Sequence, residues 1–280
     1  MPILITGGSG FLGRRGAAHF RERGFEVLTP SHRELDITDA GAVMAYLSQN
    51  RPRWVLHCAA VSDTGLCARD PEGTAKINTE GAENLARGCA QVGARLIFCS
   101  SDQVYSGAPN PGPHREEAEL APNHPYARQK LLAERLCGEL CDTVSLRLSW
   151  MYAREPFPGD HGDFLRALRP ALKDPAAPLS WPIHDRRGIT PVESVVANLD
   201  QALSLPAGIY NFGCENDGST YDTLRQVLEE LELEEPLSRL KPNWEAFAAA
   251  PRDIRMDATK CNRAGITFPT TREALRGALK

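Results

Sequence analysis

In "HPYARQK" (124–130), Tyr126 and Lys130 stand four residues apart. That spacing puts them on one face of a helix, and Pro125 suits the helix's first turn. A phenol with its ordinary pKa near 10 is a weak acid–base group at neutral pH. A neighbouring ammonium favours phenolate, so Lys130 is expected to lower the Tyr126 pKa. Ser101, in "FCSSDQVY" (98–105), lies about 25 residues upstream. Its hydroxyl can polarise a carbonyl oxygen that Tyr126 protonates. A Tyr-x-x-x-Lys pair alone also describes an ordinary exposed helix surface, so the elements around it must decide.

Those elements alternate. "PILIT" (2–6), "FEVLT" (25–29), "RWVLHCAA" (53–60), "ARLIFCS" (94–100) and "TVSLRLSW" (143–150) read as strands. Helical patterns fill 11–24, 40–50, the region near 71–92 and 125–141, and Asp39 is placed to cap the second of them. Continuous apolar strands alternating with helices predict an α/β fold, a doubly wound parallel sheet covered on both faces. Ser101 then sits at a strand's C-terminal end, where such sheets open their ligand crevice.

"TGGSGFLG" (6–13) joins the first strand to the first helix, with Gly7, Gly10 and Gly13 in T-G-x-x-G-x-x-G spacing. Glycines there let the backbone turn tightly and approach a pyrophosphate at a helix N-terminus. The loop predicts a Rossmann-type dinucleotide site, with Phe11, Leu12 and Arg14 at the helix start and Ser100 at the fourth strand's end as further cofactor candidates. Downstream of such a loop, an oxidised nicotinamide would add to the effect of Lys130 on the phenol. The tip of the second strand reads Thr29-Pro30-Ser31-His32-Arg33, with no carboxylate before Glu34. An acidic tip suits a ribose hydroxyl and a basic one a 2′-phosphate, so Arg33 and Arg14 favour NADP, with NAD as the alternative.

A net charge of -4 argues against a general nucleic-acid or anionic-membrane binder. No run of 18 apolar residues suggests a membrane span. The first strand starts too early to leave room for a signal peptide, so a cytoplasmic location is expected. The eight cysteines contain no CxxC and the seven histidines no HxxxH or HExxH, so no metal site is expected.

Together these features resemble the extended short-chain dehydrogenase/reductase superfamily over nearly the whole chain. The resemblance implies that "LDITD" (35–39) lies against an adenine through Asp36 and Ile37. It also implies that "HCAAVS" (57–62) lines the cofactor's ribose with Cys58, Ala59 and Ala60, Cys58 replacing the usual Asn. Asn78 in "INTEGAENLARGC" (77–89) would be the superfamily's Asn. With "LRLSWMY" (146–152), "DRRGITP" (185–191) and "PRDIRMD" (251–257), the chain is similar to the dTDP-4-dehydrorhamnose reductase branch. In that branch NAD(P)H delivers hydride to C4 of a dTDP-linked 4-keto sugar. The similarity would make Tyr126 the general acid, Lys130 the ribose anchor and Ser101 the carbonyl partner. Trp150 would border the sugar, Asp102 and Gln103 would shape its pocket, and Arg186, Arg187 and Arg252 would be candidates for the substrate diphosphate.

Dehydratases of the superfamily carry Asp-Glu where Asp102-Gln103 stand, because eliminating water requires a base for a carbon-bound proton. An amide has no basic oxygen, so Gln103 favours simple reduction. The alternatives are an epimerase that retains its cofactor and a regulatory subunit like that of methionine adenosyltransferase. Residues 1–150 are expected to form the Rossmann domain, with returning elements near 189–213. The rest, 151–188 and 214–280, would make a smaller substrate lobe. The partner expected is a nucleotide sugar; a homodimer is compatible with the sequence but not specified by it.

Overall fold

A computed structural model of the protein describes residues 2–160 and 163–280. In chain order it contains β1 (Pro2–Thr6), α1 (Phe11–Glu22), β2 (Glu26–Leu28), α2 (Ala40–Asn50), β3 (Trp54–His57), α3 (Thr64–Arg69) and α4 (Pro71–Ala75). After a π-helical turn at Lys76–Glu80 come α5 (Gly81–Val92), β4 (Arg95–Ser101), α6 (Pro125–Leu140), β5 (Thr143–Leu148) and β6 (Trp150–Tyr152). Then follow α7 (Phe164–Lys173), β7 (Ser180–Pro182), β8 (Asp185–Arg186), β9 (Ile189–Pro191), α8 (Val192–Ala197), α9 (Leu199–Ala202) and β10 (Gly208–Phe212). The chain ends with α10 (Thr220–Glu230), α11 (Glu234–Arg239), β11 (Lys241–Asn243), β12 (Arg252–Asp253), α12 (Thr259–Arg263) and α13 (Thr271–Leu279).

Six strands form one sheet in the order β2-β1-β3-β4-β5-β10, and β1 pairs in parallel with both β2 and β3. Chain direction across the sheet therefore reverses beside β1, which places the topological switch point next to the glycine loop. Leu4, Val55, Leu96 and Phe98 pack with Val43, Leu47, Leu85, Ala86, Ala133 and Cys137 of α2, α5 and α6. On the other face, Leu56 and Leu199 touch Gly16 of α1. This is the two-sided covering that continuous apolar strands require.

The chain divides into two compact units. The first holds Met1–Val104, Pro122–Arg147 and Val196–Tyr210; the second holds Tyr105–Ala121, Leu148–Val195 and Asn211–Lys280. Segment 105–121, which the sequence reading left inside the first domain, belongs to the second unit for a polar reason. There Tyr105 stacks on His114 at 4.7 Å, and its hydroxyl donates to Asn211 Oδ1 at 2.7 Å. His114 is bound on both sides, its amide to the Arg255 carbonyl and its ring to the Asp253 carbonyl. The second unit's core gathers Tyr152, Phe164, Leu168, Leu224, Val227 and Leu275.

Other boundaries shift for local reasons. The expected strand 143–150 breaks at Ser149, and Trp150 starts β6, which pairs in parallel with β9. The returning elements near 189–213 are β9, two short helices separated at Asn198, and β10. Asp39 does cap α2, accepting from Gly41 and Ala42. His161 and Gly162, within the expected substrate lobe, lie outside the described residues. Among the described residues, no helix is long and apolar enough to cross a membrane.

Candidate active site

The glycine loop is built for close approach. Gly7 adopts φ +66°, in the left-handed region, and a Cβ there would meet the Ala59 nitrogen at 2.7 Å. A Cβ on Gly13 would lie 2.2 Å from the Gly7 carbonyl oxygen, so α1 can pack against the loop only with glycine at that position. Gly10 takes the N-cap position of α1 without a side-chain cap, and the first turn contains no acidic residue. The first amides, those of Phe11, Leu12 and Gly13, are thus presented with a positive dipole end, as an anion requires. At the end of β4 the buried Ser100 hydroxyl has no hydrogen-bond partner. Both observations fit a dinucleotide cradle.

Around that cradle, Cys58, Ala59 and Ala60 follow β3 as half-buried residues. Cys58 Sγ lies 3.7 Å from Cys99 Sγ, a contact that, with burial, pushes the Cys58 thiol up. Arg14 is half-buried and Arg33 is exposed. Glu34 accepts from the Ser31 amide and hydroxyl, both at 2.8 Å, and these bonds hold its carboxyl below its usual range. The Asp36 carboxylate is likewise engaged by Thr38, whose hydroxyl and amide lower its pKa. Ile37 is buried against Gly81, where any side chain would collide with it.

Asn78 has internal partners: its Oδ1 accepts from the Val61 amide at 2.8 Å, and its Nδ2 donates to the Val61 carbonyl and to Gln129 Oε1. This side chain ties the loop after β3 to α6. Gln129 extends the link to Pro71 and Thr74.

Ser101, Asp102, Gln103, Tyr126 and Lys130 are all buried and belong to the first unit. Position follows from α6, whose backbone enters extended at His124 and turns helical at Pro125. A fully buried ion pair anchors that helix to β5: Arg147 donates two bonds to Glu134, at 2.6 and 3.0 Å. Ser101 Oγ accepts from the Gln103 amide at 3.2 Å and donates to Asp102 Oδ1 at 3.3 Å. The Ser101 hydroxyl also acts on the Tyr126 phenol.

Here the expected electrostatics are reversed. Burial raises the Tyr126 pKa, the Ser101 hydroxyl opposes that rise, and the charge of Asp102 adds to it. Lys130 donates its Nζ–H to the Cys99 carbonyl at 2.8 Å and sits over the Phe98 ring. Burial lowers its own pKa, against the pull of the nearby thiols. The phenol is therefore held protonated, as a proton donor needs, instead of being tuned toward phenolate. Beneath the site, burial and then the Lys130 charge depress His57 to about 3, and its Nδ1 bonds Thr6 Oγ1 at 2.7 Å.

Trp150, Arg186, Arg187 and Arg252 belong to the second unit. Arg187 is buried with its guanidinium 5.2 Å from the Trp150 ring, whereas Arg186 is exposed. Arg252 donates to Asp185 at 2.8 Å and covers Phe247. The strands that carry Arg186 and Arg252 pair in parallel, with Arg252 opposite Asp185.

A family model described as the RmlD substrate binding domain matches residues 1–280. The chain belongs to that family. Over 276 residues it is 28% identical to a dTDP-4-dehydrorhamnose reductase from Streptomyces griseus, covering 94% of this chain and 88% of that protein. Over 278 residues it is also 28% identical to methionine adenosyltransferase 2 subunit beta from Xenopus tropicalis, covering 94% and 82%. A crystal structure of dTDP-4-dehydrorhamnose reductase from Bacillus anthracis in complex with NADP superposes with a TM-score of 0.84 at 21% identity. It covers 99% of this chain and 97% of the other, so the Rossmann-type fold of the RmlD structures is shared.

His124 was missed in the sequence reading. Its ring caps α6 and lies parallel to that of Tyr126. The signal was present as a polar residue immediately before Pro125, at a helix N-cap position.

Proposed function

We propose that this chain is an NADPH-dependent reductase of a nucleotide-linked 4-keto-6-deoxy sugar. One observation carries the reading: a buried tyrosine held protonated, with a buried serine acting on its phenol and an amide at 103 where elimination would need a base. When bound, the dinucleotide supplies the hydride that reaches C4. Tyr126 gives its proton to the carbonyl oxygen as the alkoxide develops, and Ser101 orients that oxygen. Lys130, fixed by the Cys99 carbonyl and the Phe98 ring, would hold the cofactor ribose. Gly7, Gly10, Phe11, Leu12 and Gly13 would hold the pyrophosphate. NADPH is preferred because Arg33 follows the β2 tip and Arg14 stands in the first turn of α1, while Glu34, the first carboxylate after β2, is engaged by Ser31.

The likeness to the Streptomyces griseus reductase supports this substrate class. The test is NADPH oxidation with a panel of dTDP-linked 4-keto-6-deoxy sugars, comparing wild type with Tyr126→Phe. Turnover that depends on Tyr126 supports the reading, and its absence with every sugar rejects it. A second reading, a regulatory subunit in a larger assembly, is favoured by the equal similarity to methionine adenosyltransferase 2 subunit beta. A stable heteromeric partner recovered with a protein that turns over no sugar would select it.

A further inference from the structure

Cys58 and Cys99 are neighbouring thiols that the chemistry above does not use. β3 and β4 pair in parallel with His57 opposite Phe98, so Cys58 and Cys99 follow in register. Adjacent strands stand about 4.8 Å apart, within the Cα separation that a disulfide spans. The two sulfurs are 3.7 Å apart, against about 2 Å when bonded. Cys58 is half-buried and Cys99 is 7% exposed, so the pair is not sealed from a small oxidant. Cys67 and Cys137, in contrast, donate to the Val61 and Ala82 carbonyls.

The two thiols share charge unequally. The contact with Cys58 lowers the Cys99 pKa, burial opposes that, and the Lys130 ammonium adds to the lowering. Cys58 is pushed up. The thiolate therefore forms first on Cys99, with the Cys58 S–H donating to it. Hydrogen peroxide is the oxidant. The thiolate sulfur attacks a peroxide oxygen: an S–O bond forms, the O–O bond breaks, and hydroxide leaves, taking up a proton as water. The Cys58 sulfur then attacks the Cys99 sulfur. The S–S bond forms, the S–O bond breaks, and hydroxide departs with the Cys58 proton as a second water. Each sulfur gives up one electron, and the peroxide takes both.

We infer that Cys58 and Cys99 are an oxidative modification site: hydrogen peroxide joins them in a disulfide beside the glycine loop, and the linked protein binds NADPH weakly. The link depends only on the two sulfurs, whereas its effect on NADPH rests on reading the glycine loop as the cofactor's cradle. Both ends of the link transmit the change. A Cβ on Gly7 would lie 2.9 Å from the Cys58 carbonyl carbon, so a shift of Cys58 is felt at the glycine loop. Lys130 Nζ is bonded to the Cys99 carbonyl at 2.8 Å, so a shift of Cys99 moves the ammonium assigned to the ribose.

The experiment treats the full chain with hydrogen peroxide, blocks the remaining thiols, digests with trypsin without reductant, and reads crosslinks by tandem mass spectrometry. Cleavage after Arg53, Arg69, Arg95 and Arg115 places the pair in peptides 54–69 and 96–115. Wild type should yield these two peptides joined through Cys58 and Cys99, and dithiothreitol should separate them. Cys99→Ser keeps the carbonyl that Lys130 uses and should yield no such link. Calorimetry should show NADPH bound at least about tenfold more weakly by the linked protein, with affinity restored to within about twofold by dithiothreitol. A link through Cys67 in place of Cys58, eight intact thiols under peroxide that oxidises free glutathione, or full NADPH affinity in the linked protein would overturn the inference. An untreated chain that binds neither NADPH nor NADH would instead reject the cradle reading, and with it the effect on the cofactor, while the mass spectrum still decides the link.

Discussion

His57 offers a quantitative test of how the site is supported. The imidazole is 1% exposed and bonded to Thr6 at the tip of β1, just before the glycine loop. Burial holds its pKa at about 3, against an ordinary 6.5. Between those values the unfolded chain binds a proton that the fold refuses, so stability rises with pH across that window. Above pH 6.5 the penalty vanishes. Below it, each unit removes about 1.4 kcal/mol, which amounts to roughly 2 kcal/mol at pH 5. Urea denaturation at pH 8, 6.5 and 5 would measure this, with His57→Asn as a reference that retains a polar partner for Thr6. The wild type should lose about 2 kcal/mol more than His57→Asn between pH 8 and pH 5. Parallel pH profiles for the two proteins would refute the claim that His57 is held neutral by burial.

Other outcomes follow from the same geometry. Gly13→Ala places a Cβ against the Gly7 carbonyl oxygen, so calorimetry should show NADPH binding weakened by at least about tenfold, with circular dichroism unchanged. Arg147→Met leaves the Glu134 carboxylate buried and unpaired and should destabilise the fold by about 3–5 kcal/mol in chemical denaturation; adding Glu134→Leu should recover most of the loss. Tyr126→Phe should reduce kcat by about 100-fold or more while NADPH affinity stays within about twofold. Because burial raises the Tyr126 pKa, the wild-type kcat should not decline on the alkaline side below pH 10, and a fall centred near pH 8 would contradict that assignment.

Much of this architecture can be read from local pattern. The apolar runs at 3–5, 54–56 and 96–99 lie in adjacent strands because each is apolar at every position, and a parallel sheet covered on both faces demands that. The glycine loop is legible because its spacing between strand and helix has one purpose. Four features escape such reading because they depend on partners far away in sequence. Segment 105–121 joins the second unit through Asn211, Asp253 and Arg255, which lie some 100 or more residues downstream. Asn78 matches a family position, yet only the fold shows its amide saturated by Val61 and Gln129. The Tyr126 pKa was misjudged because the i+4 lysine is visible in sequence, whereas burial and the charge of Asp102 are not. Gln103 invites a substrate role by its place at a strand end, whereas in the fold its amide meets Asp102 and also His124, 21 residues away.

The central claim is hydride transfer to C4 with Tyr126 as proton donor. Its most direct test is incubation of the protein with NADPH deuterated at the transferring position and a dTDP-linked 4-keto-6-deoxy sugar, with the product analysed by NMR. The account predicts one deuterium at sugar C4 for each NADP+ formed, and loss of that product in Tyr126→Phe. An isomerised or dehydrated sugar with the added NADPH unconsumed, or a deuterated product formed equally well by Tyr126→Phe, would contradict it.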